Sequence, residues 1–145
     1  MGIFTSEISR KSINIDLGIL IVRLGVGFSV LFFHGYGKIS GGPEFWEKIG
    51  GSMGNVGIDF LPMFWGFMAA FSEFFCSILV ILGIFFRFGT ILLFLTMTVA
   101  IFHHLNLPPG ANAAGWSGAS HALELLTVYA GLFFCGPGKY KLTKY

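Results

Sequence analysis

The sequence predicts an all-α integral membrane protein, a bundle of four transmembrane helices with both termini in the cytoplasm. Composition indicates the class, since 54% of the 145 residues are hydrophobic, only 11% are charged and the mean hydropathy is +0.78. A soluble domain of this length cannot bury so much apolar surface. The apolar residues also fall into long stretches that lack the period-2 alternation of a barrel strand, which favours helices.

Four apolar stretches give the predicted helices, at about residues 17–36, 62–86, 88–105 and 120–136 of a single domain spanning 1–145. At about 1.5 Å per helical residue the first two are long enough to cross about 30 Å of hydrocarbon. The second contains one charged residue, Glu73, in 25 positions. The third and fourth stretches are shorter but are too apolar to be loops.

The connecting segments and the basic residues predict the orientation in the membrane. The segment 35–61 is polar, with a short interfacial helix around Phe45 to Ile49, and the segment 106–119 is rich in turn residues and carries no charge. Because Lys and Arg resist translocation, the side with more of them is expected in the cytoplasm. Six basic residues lie on the side of the termini and two on the other: Arg10, Lys11, Arg87, Lys139, Lys141 and Lys144 against Lys38 and Lys48. This predicts a multi-pass protein of the cell membrane, the inner membrane if the source is bacterial, with its glycine-rich loops outward.

Several classes of function are disfavoured by composition. A net charge of +2 with scattered basic residues does not indicate a nucleic-acid partner. Cys76 and Cys135 lie in apolar runs without a CxxC pair, so neither a thioredoxin-type centre nor a zinc ribbon is predicted. Membrane lipid is the first expected partner.

Ionisable residues inside the predicted helices mark the candidate site, because such side chains are costly in hydrocarbon unless they pair or face the bundle interior. Arg23, His34 and Lys38 recur at helical spacing, so they share one face of the first helix. The ligand-binding polar core predicted on this basis comprises Arg23, His34, Lys38, Glu73, His103, His121 and Glu124.

Depth along the helices predicts a cavity that opens outward, with Arg23 and Glu73 at its floor. Unpaired, each charge would cost several kcal/mol in low dielectric, so we expect the two to neutralise each other directly or through a bound ligand. The alternative for this pair is a clamp that only holds the first helix to the second. For His34 and Lys38 the alternative is that they reach out to the lipid head groups.

The histidines allow a metal site or a quinone site. His103, His121 and Glu124 are metal-ligating types, and His-x-x-Glu mirrors a pattern of di-iron bundles. Adjacent side chains on a helix point about 100° apart, however, so His103 and His104 do not readily share one ion. A metal is therefore not favoured. A quinone is compatible with the same residues, since imidazole and carboxylate groups can hydrogen-bond its carbonyls and exchange protons.

The order of these motifs resembles the DoxX family of small membrane proteins. The resemblance runs from Leu17 to Leu142 and departs from the family pattern at Phe75-Cys76, where relatives tend to have two glycines. The motifs that carry it are Arg23-Leu-Gly-Val-Gly-Phe, His34-Gly-x-Gly-Lys38, Glu73, Leu82-Gly83 and Arg87, His103, Glu124 and Gly136-Pro137-Gly138-Lys139-Tyr140.

The resemblance implies a four-helix membrane protein associated with sulfur redox chemistry, since the family is named after a subunit of a thiosulfate:quinone oxidoreductase. It leads to the hypothesis of a redox-associated subunit that binds quinone or a small sulfur compound, with a membrane oxidoreductase partner or as a homo-oligomer. Two alternatives are a transporter or binder of a small anion or metabolite, and a structural assembly subunit. Whether the chain is itself an enzyme is left open by the residues.

Overall fold

The computed structural model describes residues 14–142, and this part of the chain is all-helical, without a strand. Within residues 14–142, four helices are long and apolar enough to cross a membrane, which confirms the predicted helical class and the four apolar helices. They are α1 (Ile15–Ser40), α3 (Pro62–Leu82), α4 (Phe86–Asn106) and α5 (Gly115–Cys135). Arg10, Lys11 and Lys144, which entered the orientation prediction, lie outside the described residues.

The end of α3 comes four residues earlier than the apolar pattern suggests, because a glycine stops the helix. Gly83 has a φ of 73°, a left-handed conformation that side chains disfavour. Its N–H and that of Ile84 both donate to the carbonyl of Leu79, at 2.8 and 3.1 Å. The next helix begins at Phe86, so a tight turn joins two spans that the hydropathy alone nearly merges.

A short helix, α2 (Gly42–Gly50), follows α1 and continues into a 3-10 turn at Gly51–Val56. It is longer than the segment of Phe45 to Ile49 expected from the sequence. It packs closely on the start of α3, because glycines remove the side chains between them: a Cβ at Gly50 would lie 1.8 Å from the carbonyl oxygen of Pro62. A Cβ at Gly66 would likewise lie 1.7 Å from that of Trp46. The α2–α3 hairpin is therefore one packed unit.

Two spans contain a π-helical turn, Leu31–Gly35 in α1 and Ser72–Cys76 in α3. The two turns pack against each other, and a Cβ at Gly35 would lie 2.4 Å from the carbonyl oxygen of Glu73. A π turn holds one residue more than an α turn, so it rotates the following side chains around the helix. Ser72, Glu73, Cys76 and Ser77, in and directly after the π turn of α3, are all buried.

The core lies where α4 packs along α5 and where α1 crosses the second half of α3. Large apolar side chains on the outer surface are exposed, as lipid contact requires: Phe33 is 82% exposed and Phe134 80%. We call the end that carries the 83–85 turn and both described chain ends the terminal end. The opposite end, with α2 and the 107–114 connection, is the loop end.

Candidate functional site

A buried ion pair lies toward the loop end, between α1 and α3. The Nζ of Lys38 is 2.7 Å from each carboxylate oxygen of Glu73 and donates a hydrogen bond to Oε1. The side chain of Glu73 is only 3% exposed and that of Lys38 28%. Trp46 donates from Nε1 to the carbonyl of Lys38 at 2.7 Å, which ties α2 to the end of α1. The ion pair thus joins α1 to α3, and its two charges cancel.

A cavity of about 540 Å³ lies beside this ion pair. Its walls come from α3, from α4 and from the 49–56 segment after α1. They are mainly apolar, with Met68 of α3 facing Leu92 and Val99 of α4, and a volume of several hundred Å³ is typical of small-molecule sites. Leu95, in the middle of α4, lines the cavity and is 51% exposed, so the cavity reaches the outer surface of the bundle at mid-helix.

Three polar atoms in the cavity wall are buried without a hydrogen bond in residues 14–142: Oε2 of Glu73, which contacts Nζ of Lys38 in the ion pair, Nε1 of Trp65 and Oγ of Ser72. Ser72 is 1% exposed. Neither Trp65 nor Ser72 was predicted from the sequence to belong to the site. The available signal was position, because Ser72 precedes Glu73 and Trp65 lies seven residues earlier, on almost the same helical face.

His103 also lines the cavity, at the loop end, where its Nδ1 is 3.2 Å from Oγ of Ser52. The adjacent His104 donates from Nδ1 to the carbonyl of Ala113 at 2.8 Å, which fixes the connection to α5. The two rings lie at 68° to each other, as expected for neighbours on a helix. His103 is therefore a cavity residue, and His104 also anchors a loop.

His34, His121 and Glu124 form a separate cluster between α1 and α5. The rings of His34 and His121 stack with centroids 5.5 Å apart, and Nδ1 of His121 is 4.0 Å from Oε2 of Glu124. The three residues considered from the sequence as metal ligands are therefore not all together. His103 lines the cavity, whereas His121 and Glu124 belong to this cluster. Within residues 14–142 the structure contains no group of three or more His, Cys, Asp or Glu side chains placed to hold a metal ion.

Arg23 is buried, at 1% exposure, but does not pair with Glu73. Its guanidinium donates to four backbone carbonyls, those of Val80, Ile81, Pro137 and Tyr140, at 2.9, 2.8, 2.5 and 2.7 Å. The direct pairing of Arg23 with Glu73 expected from the sequence is therefore wrong, and Arg23 does not line the cavity. A planar group with five N–H donors suits such a ring of oxygens.

These contacts complete the end of α3. The last four carbonyls of a helix lack partners within the helix. Here the carbonyl of Leu79 accepts from the following turn, those of Val80 and Ile81 accept from Arg23, and that of Leu82 accepts from the N–H of Leu142 at 3.1 Å. A positive side chain at a helix C-terminus is favourable as well. Arg23 thus joins α1, α3 and the C-terminal segment.

The fold and site define an integral membrane protein, with four helices in residues 14–142 that are apolar enough to span the membrane, a charged structural centre at the terminal end and a cavity with a buried ion pair toward the loop end. The DoxX family model matches residues 18–106, which is more than half of the chain, so the chain belongs to the DoxX family. Comparison with curated proteins and with solved structures gave no significant match.

Proposed function

We propose that this DoxX protein is a redox-associated membrane subunit that binds a quinone in the cavity beside Lys38 and Glu73. The observation that carries the proposal is the combination of an apolar cavity of about 540 Å³ with a charge-neutral polar group at its side. Most ligand pockets are apolar with a few fixed polar groups that orient the ligand. Lys38 offers N–H donors and His103 offers a donor or an acceptor, which suits a carbonyl-bearing ring.

The charges favour a neutral ligand over a small sulfur anion. Arg23 and Lys38 are the Arg and Lys residues of the predicted polar core, and neither is free for an anion, since Arg23 donates to four carbonyls and Lys38 is paired with Glu73. A thiosulfate ion in the cavity would have to displace Glu73 or approach its carboxylate. The same argument weighs against a transporter of small anions.

The route into the cavity also favours a lipid-soluble ligand. The half-exposed Leu95 lies near the middle of α4, at a depth where the surrounding medium is hydrocarbon. A molecule that arrives through the membrane, such as a quinone with its prenyl tail, can enter there without crossing a polar surface. With the termini in the cytoplasm, as the basic residues predict, the loop end with His103 would face outward.

The first test is direct. We expect protein purified in mild detergent to carry quinone, detected by native mass spectrometry and by extraction, and to bind an added short-chain quinone in equilibrium dialysis. Lys38→Met should weaken that binding about tenfold, since a hydrogen bond from a charged donor is lost. Lys48→Met is the matched control, because Lys48 is an exposed lysine of α2 that does not line the cavity.

A charge-balanced variant separates binding from folding. Lys38→Met combined with Glu73→Gln removes both charges, so the double variant should keep its thermal stability and still bind weakly. If wild-type protein binds no quinone, or if Lys38→Met and Lys48→Met bind equally well, the proposal is wrong. Thiosulfate that shifts the thermal stability when quinone does not would instead favour the sulfur compound.

A further inference from the structure

Trp65 and Ser72, the wall residues whose unpartnered atoms lie outside the ion pair, have a defined spacing along α3. Trp65 lies in the α-helical part of α3 (Pro62–Phe71), and Ser72, seven residues later, is the first residue of the π turn, so the two lie on nearly the same face and about 10 Å apart along the axis. Both polar atoms are buried, and neither has a hydrogen-bond partner in the described part of the chain. The wall between them is apolar, with Met68 and Ala69.

Buried polar groups without partners are rare in folded proteins, because each costs about 1–3 kcal/mol. The indole N–H can only donate, so its missing partner is an acceptor. The hydroxyl of Ser72 can also donate, and it lies beside the ion pair. The cavity therefore presents one donor near the loop end and a second donor deeper in the membrane.

We infer that Trp65 and Ser72 hold the occupant by two acceptor groups at opposite ends of one flat ring. In a para-quinone the carbonyl oxygens lie about 5 Å apart across the ring, and a hydrogen bond adds about 3 Å at each end, so donors about 11 Å apart can hold both. The spacing of the two residues on α3 is of this size. A small sulfur oxyanion, whose oxygens share one central atom, is too short to reach both donors.

This inference rests on the proposed function and makes it more specific. It says that Trp65 and Ser72 together select a ligand with two carbonyl groups at opposite ends of its ring. The apolar side chains between the donors match the faces of the ring, and Leu92 and Val99 of α4 add further apolar lining to the cavity. The ion pair then adjoins one carbonyl only.

The test compares two ligands of the same bicyclic shape, 1,4-naphthoquinone with two opposed carbonyls and 1-tetralone with one. Affinities are measured by equilibrium dialysis on the wild type, Trp65→Phe and Ser72→Ala in detergent. We expect each substitution to weaken naphthoquinone binding about fivefold, the effect of one hydrogen bond. We expect tetralone to bind the wild type more weakly and to respond to only one of the two substitutions.

The controls are matched within the chain. Ser77→Ala removes another buried hydroxyl of α3 that has no partner in residues 14–142 but does not line the cavity. Trp116→Phe removes an exposed tryptophan. Both should leave the affinities unchanged. Ser72→Ala should also keep or raise the melting temperature, because it removes an unpartnered buried hydroxyl, so weaker binding would not reflect a damaged fold.

The ratio of the two affinities within each variant is the deciding quantity, because it does not depend on the folded fraction. If naphthoquinone binds the wild type but neither Trp65→Phe nor Ser72→Ala changes that ratio, the inference is wrong while the proposed function stands. If naphthoquinone does not bind the wild type, the proposed function fails and the inference fails with it.

Discussion

A buried charged side chain has different partners at the two ends of the bundle. At the terminal end, Arg23 donates to four carbonyls, two of which complete the end of α3. Toward the loop end, Lys38 and Glu73 pair beside a cavity whose wall contains unpartnered polar atoms of Trp65 and Ser72. Fully satisfied polar groups rigidify a structure, whereas unsatisfied groups next to open space indicate a ligand. The comparison supports a structural role for the first end and agrees with the binding site proposed at the second.

The largest expected effect on the free energy of unfolding comes from replacing Arg23 at the terminal end. Arg23→Met leaves the carbonyls of Val80 and Ile81 without their donors in a buried position, so we expect the free energy of unfolding to fall by at least about 3 kcal/mol. Thermal unfolding in detergent measures it. Arg87→Met is the control, since Arg87 is exposed and its guanidinium lies over the face of the Phe133 ring, with an expected loss below about 1 kcal/mol. Equal stability of the two variants would contradict the structural role of Arg23.

Next in size is the contact between the two π turns. Gly35→Ala places a methyl group 2.4 Å from the carbonyl oxygen of Glu73, so α1 and α3 must separate and the free energy of unfolding should fall by about 1–3 kcal/mol. Quinone binding should weaken too, because Lys38 moves relative to Glu73. Gly37→Ala provides the comparison, as a Cβ there meets nothing within 4 Å and should not destabilise the protein.

A double-mutant cycle on the ion pair should give a smaller effect. We expect Lys38→Met alone to cost about 2 kcal/mol, since it leaves the carboxylate of Glu73 buried and unpaired, and the combination with Glu73→Gln to cost less. Chemical or thermal unfolding of the three variants measures the coupling. Additive costs for the two substitutions would show that the pair contributes no interaction of its own.

The smallest expected effect concerns the rim of the cavity. Ser52→Ala removes the contact with Nδ1 of His103, whose length of 3.2 Å and partial exposure indicate a weak hydrogen bond. The loss in unfolding free energy should stay below about 1 kcal/mol. If this variant unfolds as readily as Arg23→Met, the division of roles between the two ends is incorrect.

Much of the fold could be predicted because it follows from local composition. The four apolar stretches, the short helix after α1 and the family all follow from residues that are near one another in the chain. Ionisable residues in the spans also led to Lys38, Glu73 and His103, because their cost in hydrocarbon depends on residue type alone. Their assignment to a ligand site remains a prediction.

The partners of these residues could not be predicted in the same way. The sequence shows that Arg23 needs compensation but not that backbone carbonyls provide it, and two of those carbonyls lie 114 and 117 residues away. The π turns were not expected either, since nothing in the residue pattern of Leu31–Gly35 or Ser72–Cys76 distinguishes them from α-helix. They change which side chains face inward after the turn.

The sequence by itself determined that residues 14–142 contain four helices apolar enough to span a membrane, that the chain is a DoxX protein and that its buried charges require partners. Those outcomes depend on transfer of residues into hydrocarbon and on backbone hydrogen bonds within each helix, both of which are local. Only the tertiary structure decided that Arg23 completes a helix end, that Lys38 pairs with Glu73 and that a cavity lies beside them. Which side chains meet in a bundle depends on how closely the helices approach and on how each helix is rotated. In this protein glycines allow the close approach, and the π turns change the rotation.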